Sequence, residues 1–250
     1  MARKKNIGSI IITLVVAGFI IYFIYSIIIE DTSLQKGPTE SDYITTAEES
    51  TWPGDIDADG LELENDFLKK NYYLILDGSG SMSGEKMDTA KAALSRFVEQ
   101  VPQNANLGLL VFDDRGLSER AELGAPRQQI LDQIQRVNAA KYTPLRSALE
   151  IAYDKITKQG ARQLGYGEYN IVVVTDGEAS DGEEPDRIVN TILSNSPVVI
   201  HTIGFQIGPY HSLNQPGRIY YKQADNFEEL SKGLDEVLAE LESFSVAEFD

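Results

Sequence analysis

The sequence contains no cysteine. That excludes a disulfide framework, thiolate zinc or iron–sulfur sites, cysteine nucleophiles and Cys-linked lipids. Only two histidines are present, His201 and His211, too few for a histidine-rich metal site or an imidazole proton relay. Positive charge is also scarce: 22 Lys and Arg stand against 39 Asp and Glu, a formal charge of −17. Gripping a phosphate backbone needs clustered cations, so no nucleic-acid partner is expected. No Asn-x-Ser/Thr sequon occurs, and nothing points to a glycosylated eukaryotic surface.

Signatures of catalysis are missing as well. Gly78-Ser79-Gly80-Ser81-Met82 does not match the Gly-x-Ser-x-Gly nucleophile elbow. An aspartyl phosphatase would want Asp-x-Asp, but position 79 is Ser, and there is no Walker A Gly-Lys-Ser/Thr run. His201 falls in an apolar strand pattern and reads as a core imidazole, and His211, in the Pro209–Pro216 loop, reads as a surface residue. The expectation is a protein that is not an enzyme.

What is present divides unevenly along the chain. Residues 1–29 hold three bases and no acid, residues 30–66 one base and twelve acids, and residues 67–250 18 bases and 27 acids. From Ile7 to Ile29 there is no charge at all. As a helix these residues would run about 34 Å, enough for a ~30 Å hydrocarbon core. A cleaved signal peptide is the alternative, but its apolar region runs only ~7–15 residues and ends at a small-residue site. Here the run ends in Tyr25-Ser26-Ile27-Ile28-Ile29. A retained transmembrane anchor is the expected reading. Arg3, Lys4 and Lys5 precede it and Glu30 and Asp31 follow. The positive-inside rule then puts residues 1–6 in the cytoplasm and the rest in the periplasm or outside the cell.

Residues 30–66 read as an acidic, self-repelling linker. Within it, Asp55-Ile-Asp57-Ala-Asp59-Gly60, with Asp66 at loop position twelve, resembles the calcium loops of EF-hand-like and dockerin-like modules. Two positions depart from that pattern. Glu62 stands where an apolar residue packs and Leu63 where a polar ligand is common. A Ca²⁺ site and a plain acidic linker both remain open.

From residue 67 to 250, short apolar runs alternate with helical periodicities. The runs at 72–76, 107–112, 171–175 and 198–203 are β-branched-rich and nearly continuous in apolarity, as strands buried on both faces are. Between them, Met87, Ala90, Leu94, Phe97, Val98 and Val101 recur at helical spacing, as do Leu145, Ala148, Leu149 and Ala152. A last helix is predicted from Phe227 to Leu241. The fold class is therefore α/β: a doubly wound, mostly parallel sheet flanked by helices. In such folds sites lie beyond the carboxyl ends of the strands.

Three polar clusters fall there. The first strand runs into Asp77-Gly78-Ser79-Gly80-Ser81, the strand at 171–175 into Asp176-Gly177-Glu178, and Thr143 precedes the helix near Leu145. Carboxylates and hydroxyls at alternate positions are hard oxygen donors, suited to Mg²⁺ or Mn²⁺. Read singly, Ser79 and Ser81 are a polar turn and Asp176-Gly177 a common turn pair.

Together, Asp77-x-Ser79-x-Ser81, Thr143 and Thr175-Asp176-Gly177 resemble the von Willebrand factor type A domain family over roughly residues 68–243. That resemblance implies a metal-ion-dependent adhesion site. Ser79 and Ser81 would coordinate the ion directly, Thr143 directly or through water, and Asp77 and Asp176 mostly through water. The sixth position would take a carboxylate from a partner protein. One departure is Lys141-Tyr142 before Thr143, where the family often has Gly. It would either narrow the site or make Tyr142 a partner contact. The implied role is adhesion or reception on a stalk. The alternative is a scaffold or assembly subunit among membrane-complex subunits, with Ser9, Thr13, Ala17-Gly18 and Ser26 available for close helix contact.

Overall fold

A strand in the middle of a parallel sheet must be apolar on both faces, and Lys70–Asp77 (β1) meets that demand, with seven of its eight residues buried. The computed structural model describes residues 51–54, 62–208 and 211–242, the side chains of 240–242 excepted. After β1 come α1 (Glu85–Gln100), β2 (Asn106–Asp113), β3 (Gly116–Ala121), α2 (Arg127–Gln135) and α3 (Leu145–Arg162). They are followed by β4 (Glu168–Thr175), α4 (Asp186–Asn195), β5 (Val199–Phe205), β6 (Tyr220–Ala224) and α5 (Phe227–Glu242).

The six strands line up as β3-β2-β1-β4-β5-β6. All neighbours are parallel except β2 and β3, which are antiparallel. The chain leaves β1 for β2 on one side and later returns to its other side as β4. The strand order reverses between them, and such a switch point opens a crevice at the carboxyl ends.

Alternation along β1 feeds two cores. Tyr72, Leu74 and Leu76 pack with α1, α2 and α5 through Leu94, Phe97, Ile130, Ile134, Leu230 and Leu234. Tyr73 and Ile75 face α3 and α4 through Leu149, Ala152, Ile156, Val189 and Ile192. Each fully buried aliphatic side chain contributes roughly 1.5–3 kcal/mol of apolar transfer, so the sheet is clamped from both faces. Met87, Ala90, Leu94, Phe97 and Val98 form the buried stripe of α1. Val101 and Pro102 end that helix, since Pro lacks the N–H to continue it.

Two strands escape the sequence pattern for one reason. Five of the six residues of β3 are half-buried, and β6 has a single buried residue. Both are sheet edges, where no continuous apolar run is required. The predicted transmembrane run at 7–29 lies outside the described residues. Among those described, no helix is long and apolar enough to cross a membrane.

The amino-terminal pole carries a contact that the linker reading did not anticipate. Trp52 stands edge-on to Tyr169, ring centroids 4.6 Å apart. Its indole N–H donates to the Thr157 hydroxyl at 3.2 Å. Nearby, the Glu64 N–H donates to the Arg162 carbonyl at 2.9 Å, and the Glu64 carboxylate pairs with Lys69 at 2.6 Å. Gly160 on α3 makes this possible, because a Cβ there would clash with the Cη2, Cζ3 and Cζ2 atoms of the Trp52 ring.

Trp52 is the sole tryptophan, so its fluorescence reports this contact alone. Ala usually stabilises a helix over Gly by roughly 0.5–1 kcal/mol. Gly160→Ala is instead expected to lower the melting temperature and red-shift the Trp52 emission as the ring is displaced. A higher melting temperature with unchanged emission would refute the contact.

Candidate functional site

The first motif loop leaves β1 under tight constraint. A Cβ on Gly78 would lie 2.8 Å from the Phe112 carbonyl oxygen and 2.9 Å from Asp113 Cβ and Val137 Cγ1, so only Gly fits. Its N–H donates to Phe112 O and its carbonyl accepts from Ala140 N–H, each at 2.8 Å. Thus fixed, the chain turns through one 3₁₀ turn, Gly80–Met82, before α1 begins.

Asp77 is the last residue of β1 and Asp176 directly follows the adjacent strand β4, and the hydroxyls sit between them. Asp77 Oδ1 accepts the Ser79 N–H at 2.7 Å, and Oδ2 accepts the Thr175 hydroxyl at 2.5 Å. Ser79 Oγ lies 3.0 Å from Ser81 Oγ, and the Ser81 hydroxyl donates to Asp176 Oδ1 at 2.6 Å. Lys86, on the first turn of α1, places its ammonium 2.6 Å from Asp176 Oδ2. Thr143 reaches the same place. A Cβ built on Gly177 would stand 3.5 Å from Thr143 Oγ1 and 3.6 Å from Ser81 Oγ. The structure therefore brings Asp77, Ser79, Ser81, Thr143 and Asp176 together at the β1–β4 switch point.

Burial gives these groups their electrostatics. Asp77, Ser79, Thr143 and Asp176 are all buried. Burial pushes the Asp77 carboxyl up to about 6, against the hydrogen bonds from Ser79 and Thr175, and the nearby Asp176 charge adds to the rise. Asp77 has only neutral donors, and among the described residues no ion pair includes it. Asp176, by contrast, has the Lys86 ammonium.

The surrounding loops hold Thr143 from behind. Its N–H donates to Ser180 Oγ at 2.9 Å, and its carbonyl accepts the Ser180 N–H at 3.0 Å. Glu183 caps the start of α3, accepting from the Ser147 N–H and the Ser147 hydroxyl, both at 2.9 Å. Burial pushes its carboxyl upward, but these bonds and Arg146 hold it below the usual range. Lys141 adopts the left-handed region at φ 70°, which turns its carbonyl toward the Gly80 N–H at 3.2 Å. Tyr142 is 64% exposed beside the site. Its side chain is therefore largely open to solvent.

His211 corrects the sequence reading. It is buried at 3% exposure, not a surface residue. Its Nε2 lies 2.8 Å from the Gly177 carbonyl and its Nδ1 accepts the Leu213 N–H at 2.9 Å, so the proton belongs on Nε2. This imidazole ties the loop before β6 to the residue beside Asp176. His201 is buried as expected, and burial pushes its pKa down to about 4. Of the possible calcium loop, Asp55, Asp57 and Asp59 lie outside the described residues. Asp66 is exposed and accepts the Leu68 N–H at 3.1 Å.

Sequence reasoning missed Lys86, Ser180, Glu183 and His211. The contact of Lys86 with Asp176 spans 90 residues, and that of His211 is with a backbone carbonyl 34 residues away. No local spacing encodes such pairs.

The family model described as von Willebrand factor type A domain matches residues 71–237. The Synechocystis protein sll0103 is 27% identical over 146 residues, covering 55% of this chain and only 32% of that protein's length. The vWF domain of the type V pili tip protein Mfa5 from Porphyromonas gingivalis superimposes with a TM-score of 0.58 at 13% identity, covering 73% of this chain and 98% of that one. An aerotolerance-related membrane protein from Bacteroides fragilis gives 0.52 at 16% identity, covering 68% and 99%. At such identities the structural likeness is one of fold.

His211 makes the site's support measurable. Burial holds its pKa below the ordinary histidine value, against the upward pull of the Gly177 carbonyl and Glu178. A base with a depressed folded pKa contributes stability above its unfolded pKa of ~6.5 that is lost as pH falls. His211→Gln is expected to cost on the order of 1–2 kcal/mol at pH 7.5, with a shallower loss between pH 7 and 5 than the native protein. Urea midpoints measured across that range check this. Parallel curves for the two proteins would contradict a buried neutral imidazole.

Proposed function

The chain belongs to the von Willebrand factor type A domain family, and from that premise we propose that it binds a partner protein through a divalent ion. Domains of this family often mediate protein–protein interaction or adhesion. The observation that carries the reading is the linked set Ser79–Ser81–Asp176, with Thr143 and Ser81 hydroxyls flanking Gly177. Coordination at this edge would rest on the hydroxyl oxygens of Ser79, Ser81 and Thr143. Such a donor set suits Mg²⁺ or Mn²⁺. Buried Asp77, with only neutral donors, fits a place that gains from added positive charge.

In this reading Ser79 and Ser81 offer lone pairs to the ion, and Thr143 adds a third hydroxyl. Asp77 holds the Ser79 main chain through its N–H, and Asp176 accepts from the Ser81 hydroxyl, which in turn lies 3.0 Å from the Ser79 hydroxyl. When bound, the ion supplies a Lewis-acid position for a carboxylate oxygen of the partner. Tyr142, exposed beside that position, offers the partner an aromatic contact. No catalytic step is proposed.

We place the chain in a membrane through the 7–29 run, with the domain on the side away from the cytoplasm. The motivation is the three bases before that run and the two acids after it. Protease added to intact spheroplasts is expected to digest the domain, and full protection would overturn this orientation. An adhesion or receptor-like role follows. A scaffold role among membrane-complex subunits is the second reading. The small residues Ser9, Thr13, Ala17-Gly18 and Ser26 within that run, available for close helix contact, motivate it.

Calorimetry with MgCl₂ and MnCl₂ tests the ion. Ser79→Ala and Ser81→Ala are each expected to weaken binding at least about tenfold. Unchanged binding in both would reject the site. Partner capture from native membranes is expected to be lost in chelator, whereas capture that survives it would favour the scaffold reading.

A further inference from the structure

Lys86 is the one positive group hydrogen-bonded to the five-residue set among the described residues. Asp176 has a side chain with no exposed surface, and its two oxygens are already shared out. Oδ1 takes the Ser81 hydroxyl at 2.6 Å, and Oδ2 takes the Lys86 ammonium at 2.6 Å. A buried carboxylate left without a counter-charge is costly, so the ammonium neutralises Asp176 where it stands. A divalent ion held by Ser81 would sit beside the same carboxylate and repel that ammonium. The Lys86 side chain is 29% exposed, and its flexible four-carbon stem carries a strongly hydrated head. It therefore has a path into water that Asp176 lacks.

We propose that Lys86 is a tethered cation that competes with the divalent ion for Asp176, and so sets the ion affinity of the site. This rests on the metal-binding reading above. When no ion is bound, Lys86 balances Asp176 and keeps the Ser81 loop in place. Ion binding moves the ammonium outward, to the rim where a partner carboxylate would arrive. A residue that only braced the loop would behave oppositely, because its removal would weaken both the fold and the ion site.

The test uses the full chain at one fixed pH, with Mg²⁺ and Mn²⁺ titrated into the native protein, Lys86→Gln and Lys86→Arg. Lys86→Gln keeps a hydrogen-bond donor but loses the charge. It is expected to bind both ions about tenfold more tightly, while its melting temperature in chelator falls below that of the native protein. Lys86→Arg restores a cation and is expected to return the affinity toward the native value. Equal or weaker binding by Lys86→Gln, with the native protein binding normally, overturns this inference alone. Binding by none of the three proteins overturns the metal reading itself. A second measurement needs no variant: reductive methylation of Lys86, followed by mass spectrometry, is expected to increase on adding Mn²⁺. Unchanged labelling in a protein that binds Mn²⁺ overturns the displacement.

Discussion

Strand β1 pairs with β2 along one edge and with β4 along the other, and the site is a consequence of that double pairing. The β1–β4 ladder sets Leu76 opposite Val174, so the next residues of both strands emerge side by side. Asp77 and Thr175 are 98 residues apart in sequence, yet the Thr175 hydroxyl closes on the Asp77 carboxylate. Everything further out is hung on this pair of strand ends. Gly78 turns the first loop back against β2, and Asp176 meets Ser81 across the crevice. A slip in the β1–β4 register would separate the two carboxylates and turn the apolar side chains of either strand to the wrong face.

Two acids so close together in a dry place must be kept apart electrostatically, and the structure treats them differently. Asp77 is surrounded by neutral donors and is driven toward its protonated form. Asp176 is paired with the half-buried Lys86 ammonium. The asymmetry follows from position. Asp77 is enclosed by the loop it begins, whereas Asp176 looks toward the first turn of α1, where a long basic side chain reaches it. Acidity over the whole chain says little about this arrangement. What matters is which acids lose their water.

The central strands were legible because burial on both faces leaves a continuous apolar run, as in Ile171-Val172-Val173-Val174. The helices α1 and α3 were legible from their stripes. β3 and β6 were not, since an edge strand such as Gly116–Ala121 is only half-buried over five of its six residues and carries no such run. The five polar site residues could be read because each sits at the end of a recognisable element. The groups behind them could not. Ser180 holds the Thr143 main chain with its hydroxyl and its N–H, and His211 recognises a carbonyl. An exposed loop histidine and a buried one have the same neighbours in sequence, so only the folded chain distinguishes them. Trp52 escaped notice because its acidic surroundings read as linker, while its docking surface is a missing side chain at Gly160.

The Trp52 contact has a mechanical meaning. Chain preceding the domain is fastened where β4 begins, beside Tyr169, while the polar loops crown the ends of β1 and β4. A pull applied between those loops and the preceding chain would travel lengthwise down the central parallel strands. Their ladder hydrogen bonds would then share the load in shear instead of parting one after another like a zipper. Geometry of this kind suits a body held at one pole and tugged at the other.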